Sequence, residues 1–161
     1  MNKLQDQANS LRKIASEIEN YKPDDGRQLT IIIAAWYKHR EKLTNNFWIG
    51  EFACRDGTEG IIIDKRLAEG LQRMRDIVGK PIVITSGYRN PEHNRAVGGA
   101  LPSPTSEGSQ HLYGKGADIA VVGMTGDQLA TIARQVGFTG IGVASTWIHV
   151  DVRDIPAEWR Y

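Results

Sequence analysis

"SQHLYGKGADIAVV", residues 109–122, and "WIHVDVR", residues 147–153, are the stretches from which the rest of this chain is read. In the first, Gly114 and Gly116 allow a tight turn that folds a loop histidine, His111, back toward the start of a strand, "ADIAVV". In the second, strand alternation puts His149 and Asp151 on one face and Ile148 and Val150 on the other. Two histidine–carboxylate pairs therefore sit at strand edges, His111 with Asp118 and His149 with Asp151. One helix separates them. Thr125 and Gln128 form a capping box that opens it, Leu129, Ile132, Ala133 and Val136 face inward, and Gly137 stops it. "GIGVAS", residues 140–145, is a further strand, joined to "WIHVDVR" by a connection short enough for a hairpin.

Working outward toward the N-terminus, "PIVITS", residues 81–86, is a short β-branched strand. Before it, Asp64 caps a helix whose expected buried face is Leu67, Leu71, Met74 and Ile77, ended by Gly79 and Pro81. The stretch from Gly87 to Gln110 reads as one long loop rich in Gly, Pro, Ser and Asn. A loop of that length in a compact domain points to function. Residues 28–44 admit two readings. Three isoleucines suit a strand, whereas Leu29, Ile32, Ile33, Trp36 and Leu43 suit one helical face. The run passes into good helix formers, "AAWYKHREKL", so a helix is expected. Leu4, Ala8, Leu11, Ile14, Ala15 and Ile18 recur at helical steps, and "KPDDGRQ" is a loop. The expected fold class is α+β, a small, largely antiparallel sheet flanked by helices. Residues 1–45 form an N-terminal helical extension and residues 46–161 the main domain.

Composition narrows the partners. With 161 residues, a formal net charge of +1 and 24% charged residues, the chain has no basic field of the kind that binds nucleic acid. Its longest apolar run, Ile31 to Tyr37, is too short to cross a membrane. "MNKLQDQANSLRKIASEI" has no signal-peptide core. The chain is expected to be soluble and cytoplasmic until released, or exported by another route. Its one cysteine, Cys54, excludes an internal disulfide and reads as a small buried apolar residue. Nothing in the sequence speaks to oligomeric state.

Catalytic zinc sites draw three ligands from His, Asp, Glu and Cys and leave one position open. The two histidine–carboxylate pairs supply such residues. Either pair alone is more often structural than ligating, and spacing by itself leaves both readings open.

The blocks "SGYRNPEHNRAVGGA", "SQHLYGKGADI" and "WIHVDVR", in that order, resemble the zinc D-alanyl-D-alanine carboxypeptidase family. That family shares its fold with the Hedgehog signalling domain, and the nearest branch is that of small bacterial wall hydrolases and phage lysins. The resemblance runs from about Asn46 to the C-terminus. It implies zinc held by His111, Asp118 and His149, and hydrolysis of peptidoglycan stem or cross-link peptides next to a D-amino acid. The D,D or L,D, endo- or carboxypeptidase mode stays open. Many relatives carry a carboxylate base three residues before the last histidine, where this chain has Thr146. The resemblance then assigns the base to Asp151, with Glu107 and Glu92 as weaker alternatives. Arg89 would hold substrate oxygens, and Ser109 would contact substrate or serve the turn. His93 and Asn94 would pin the loop. Trp147 and Tyr113 would wall the cleft or pack in the core. "LPSPTSEG", residues 101–108, is longer than in relatives and suits a flap. The competing function is a catalytically silent zinc-binding module of the Hedgehog type. Asp151 and Arg89 beside a full ligand set favour the enzyme.

Overall fold

The computed structural model describes residues 12, 31–34, 40–58 and 60–161. The helix expected over the first twenty residues, apart from residue 12, lies outside them, as does His39. The architecture is α+β, with a mixed five-stranded sheet at its centre.

The hairpin read from the sequence is present. Strands β5 (Gly140–Val143) and β6 (Ile148–Asp151) pair antiparallel, closed by Ala144 N–H donating to the Trp147 carbonyl at 3.1 Å. Strand β4 (Gly116–Ala120) lies antiparallel on the other side of β6, and β3 (Val83–Ser86) antiparallel on β4. The remaining edge is β7 (Ala157–Arg160), parallel to β5, so the order is β3-β4-β6-β5-β7. The expectation of a largely antiparallel sheet holds for three of its four pairings.

Alternation divides this sheet. Ile119, Ile141, Val143, Ile148 and Val150 belong to the apolar core together with Leu67, Leu71, Met74, Leu129 and Ala133 of the helices. The other face of β4 and β6 carries Asp118, His149 and Asp151. Helix α1 (Lys65–Val78) begins on Asp64, whose carboxylate accepts from Arg66 N–H at 2.9 Å, and ends at Gly79 in the left-handed region. Ile77, expected inside, is 48% exposed. At 100° per residue it falls well off the Leu67–Leu71–Met74 stripe, to which Val78 returns. The short helix α2 (Pro91–Ala96) follows β3. Helix α3 (Gly126–Val136) has the expected capping box, with Thr125 Oγ accepting from Gln128 N–H, and ends at Gly137. Phe138, just past its end, packs closely on α1: a Cβ on Gly70 would stand 2.6 Å from the Phe138 ring.

Three elements differ from the sequence reading. Residues 28–44 are not one helix, because β1 (Ile31–Ala34) is a strand antiparallel to β2 (Ile61–Asp64). The register sets Ile32 against Ile63 and Ile33 against Ile62, a partner that no local window contains. The stretch from Gly87 to Gln110 is not loop throughout, since Asn90 caps α2 by accepting from His93 N–H at 2.7 Å, with Pro91 in the first turn. Strand β7 was not anticipated either. Among the described residues, no helix is long and apolar enough to cross a membrane.

Candidate metal centre

The site is assembled by strand register. Asp118 on β4 lies directly across from His149 on β6, so two candidate ligands are neighbours as soon as these strands pair. The third, His111, sits on a 3-10 turn, η2 (Gln110–Tyr113), which ends at Gly114 with φ +66°. A Cβ at Gly114 would stand 2.2 Å from the Ile62 carbonyl oxygen, so only glycine lets this turn dock on β2. The tight turn expected of Gly114 is there. Gly116 instead opens β4, where a Cβ would lie 2.9 Å from His149 Cε1.

Hydrogen bonds fix the orientation of both imidazoles. The Gly87 carbonyl can only accept, so His111 carries its proton on Nδ1, 2.7 Å away, and turns the Nε2 lone pair inward. Asp151 accepts from His149 Nε2–H at 2.8 Å, which turns His149 Nδ1 inward. His111 Nε2 and His149 Nδ1 then stand 3.1 Å apart, and Asp118 Oδ1 lies 3.2 Å from the first and 3.0 Å from the second. Three ligand atoms converge on one point. Metal–nitrogen bonds of about 2.0–2.1 Å at tetrahedral angles put neighbouring ligand atoms about 3.3–3.4 Å apart, so the donor set has the size and chemistry of a zinc site.

The electrostatics agree. Burial lowers His111 from the ordinary imidazole range, although Asp118 opposes it. Burial also disfavours charge on His149, but hydrogen bonds to Asp118 and Asp151 outweigh it and hold this ring raised. Burial would raise Asp118, yet its bonds to the two histidines keep it well below the usual carboxylate range. A carboxylate held ionised between two inward ring nitrogens is a seat for a cation.

Around this triangle stand the groups that hold it. Arg89 donates Nη2–H to Asp118 Oδ2 at 2.7 Å and Nε–H to Ser86 Oγ at 2.9 Å, leaving Oδ1 to the histidines. Asp151 is fully buried. Its carboxylate lies beyond the far edge of the His149 ring, taking Arg153 Nε–H on Oδ1 at 2.8 Å and Nη2–H on Oδ2 at 2.5 Å. Burial would raise Asp151, but Arg153 and His149 hold it down at about 2. Room for that carboxylate comes from its cross-strand partner on β5, Gly140. A Cβ on Gly140 would fall 2.0 Å from Asp151 Oδ1. Gly140→Ala is therefore expected to cost about 1–3 kcal/mol as an overpacked core does, and to weaken zinc retention along with the lowered melting temperature. Thermal unfolding and metal analysis of the purified variant check both.

A family model described as peptidase M15 matches residues 45–151. The chain belongs to the peptidase M15 family. A curated relative, the zinc D-Ala-D-Ala carboxypeptidase of Streptomyces albus G, is 40% identical over 72 residues. That match takes in 44% of this chain and 26% of the relative, so the chain corresponds to only part of that protein. The matched family region contains β2 to β6 and with them His111, Asp118, His149 and Asp151.

The remaining candidates scatter. Ser109 precedes η2 without using its hydroxyl as a cap. Tyr113 is buried and donates its hydroxyl to the Glu107 carbonyl at 2.9 Å, which ties the base of the 101–108 loop. That loop carries a Ser103–Ser106 bridge and is closed by Ser109 N–H donating to the Ala100 carbonyl. Glu107 and Glu92 are exposed. Asn94 pins the loop as expected, donating Nδ2–H to the Ala100 carbonyl at 3.1 Å, whereas His93 turns elsewhere. Trp147 stacks near Tyr161, with centroids 4.8 Å apart. Sequence reasoning missed Gly87, Ser86, Arg153 and above all Trp159, whose ring lies 5.3 Å from His149 and 5.0 Å from the Arg153 guanidinium. The alternation of Trp159 and Tyr161 in "EWRY" was the available signal.

Proposed function

We propose that this M15 member is a zinc-dependent peptidase that cleaves peptidoglycan stem or cross-link peptides next to a D-amino acid, a wall-degrading activity of the lysin kind. The observation that carries the reading is the convergence of His111 Nε2, His149 Nδ1 and Asp118 Oδ1 with both imidazole tautomers fixed from behind. The name of the 40%-identical relative supplies the substrate class.

Zinc is the cofactor, held by His111, Asp118 and His149. The chemistry such a metal supplies when bound is that of a Lewis acid, polarising a carbonyl and acidifying water. Arg89 keeps Asp118 aimed through its ion pair. It would also hold substrate oxygens, a task that its planar fork of donors suits. Ser109 and the Trp147–Trp159–Tyr161 cluster, which reaches His149 through the Trp159 ring, would contact the peptide. Asp151 acts through His149, accepting its Nε2–H and setting which nitrogen faces the metal, as carboxylates behind metal-bound histidines do. This reading moves Asp151 from proton acceptor to positioning residue.

We read the fold as Hedgehog/D,D-peptidase-like, with residues 46–161 as the peptidase unit and residues 1–45 as an extension. Within that extension, the Ile31–Ala34 strand adds to the unit by pairing with β2.

The test is cleavage of purified wall fragments by the full chain, before and after chelation and again after zinc is restored. Loss on chelation with recovery on zinc is the expected result, and analysis of the released termini identifies the bond. A chain that holds zinc at His111, Asp118 and His149 yet releases no wall peptide is the silent binding module instead. A chain that takes up no zinc at this site sinks the proposal.

A further inference from the structure

A second set of metal-ligating side chains lies outside the centre described above. Cys54 Sγ, a carboxylate oxygen of Asp56 and a ring nitrogen of His93 all lie within 4.8 Å of one another. Cys54 and Asp56 belong to the turn after the 3-10 segment Ile49–Phe52, and His93 to the first turn of α2. Cys54 is buried, His93 half-buried and Asp56 exposed. The cluster thus has one dry side and one open to solvent.

The polar environment of these groups is built rather than incidental. Burial above all, with the neighbouring Asp56 carboxylate, raises the Cys54 thiol, while backbone groups of Asp56 and Asn90 oppose that shift. A cation bound beside the sulfur would reverse that shift, because cysteine binds metal as the thiolate. Asp56 is fixed in turn: Oδ1 accepts from Thr58 N–H at 2.9 Å, and Oδ2 from Asn90 Nδ2–H. Asn90 is itself 1% exposed and donates the same amide to Thr58 Oγ at 2.6 Å. One residue therefore caps the helix that carries His93 and steers the carboxylate toward Cys54.

We propose that Cys54, Asp56 and His93 form a second metal site, for a thiophilic divalent cation of the zinc type, with water completing the coordination on the open side. A thiolate, an imidazole and a carboxylate are the donors such ions take. Tetrahedral coordination needs ligand atoms about 3.3–3.6 Å apart, which side-chain rotation can reach from the observed spacing. On binding, the cation displaces the Cys54 thiol proton to solvent and forms the metal–sulfur bond, with no change of oxidation state.

The site would act as a staple. It joins the turn at residues 54–56 to α2, and so secures the intervening segment 87–90. That segment supplies the Gly87 carbonyl that orients His111 and the Arg89 side chain that holds Asp118. A structural metal there stiffens the back of the catalytic centre without touching it.

Because the chain has one cysteine, a sulfur-to-metal signal reports this site alone. The experiment is cobalt(II) titration of the metal-free full chain, followed in the near ultraviolet, with zinc content measured in parallel. The parent is expected to take up a second metal equivalent and to show a sulfur-to-cobalt charge-transfer band. Cys54→Ser should abolish the band and the second equivalent while keeping the first. His93→Ala, at a half-buried position, should weaken the band strongly even if the cysteine variant folds poorly. His111→Ala should retain it, so this result is independent of the peptidase reading. A parent that develops no charge-transfer band at saturating cobalt overturns the proposal, as does a band that His93→Ala leaves unchanged.

Discussion

His149→Ala is expected to purify without its zinc at the His111–Asp118 centre and to lose wall-peptide hydrolysis to background. The expectation follows from the number of ligands. Three protein atoms converge, and removing His149 Nδ1 leaves only His111 Nε2 and Asp118 Oδ1, 3.2 Å apart. Catalytic zinc sites need three protein ligands, and two do not retain the ion against solvent. The substitution also strips the partner from Asp151, which keeps Arg153, so the fold should survive in a less stable form. Metal analysis, wall-fragment release and a far-ultraviolet spectrum together distinguish loss of the site from loss of the protein. A variant that keeps zinc at this centre and cleaves at the parental rate would remove His149 from the ligand set.

The second large effect belongs to Asp151→Asn, and its form matters more than its size. If Asp151 positions His149, the neutral amide weakens zinc binding about 10–100-fold, the range seen when carboxylates behind ligating histidines are lost. Activity should then return as zinc is raised. If Asp151 takes the proton from water, zinc stays bound stoichiometrically, kcat falls, and added zinc restores nothing. Geometry favours the first outcome. The carboxylate is fully buried, lies beyond Nε2 while the nitrogen that faces His111 and Asp118 is Nδ1, and has both oxygens occupied by Arg153. The variant will also be less stable, because it leaves Arg153 without its anion. Breaking a fully buried pair costs about 3–5 kcal/mol. Arg153 keeps 24% of its side-chain exposure, so the loss here should fall below that range. Zinc affinity and kcat measured across a zinc titration separate the two accounts.

The placement of these residues shows where local reading reaches. Alternation in "WIHVDVR" was enough to put His149 and Asp151 on one face, and they are on one face, in contact. What alternation could not supply was the side of the imidazole on which the carboxylate would lie. That depends on Gly140 across the neighbouring strand, which leaves a trough for Asp151, and on Arg153, which pulls the carboxylate into it. Arg89 followed the same course. Its loop was recognisable, but its ion pair with Asp118 exists only because β3 and β4 lie side by side.

By itself, the sequence determined the elements whose cause is local. Asp64 and Thr125 accept backbone N–H groups within their own helices, Gly79 and Gly137 adopt left-handed φ at their ends, and the β5–β6 hairpin closes over a short turn. It also carried the family pattern that singled out His111, Asp118 and His149. The tertiary structure alone decided what depends on distant partners. The isoleucines at 31–33 became a strand because 61–64 offered a ladder. Trp159 reached His149 because β7 runs parallel along β5. Cys54 and Asp56, close along the chain, gained His93 as a neighbour through the docking of α2. Caps and turns are satisfied within a few residues of chain, so their signals survive in one dimension. Strand pairing, buried ion pairs and ligand clusters join groups tens of residues apart, and the free energy that chooses them appears only when the chain has folded.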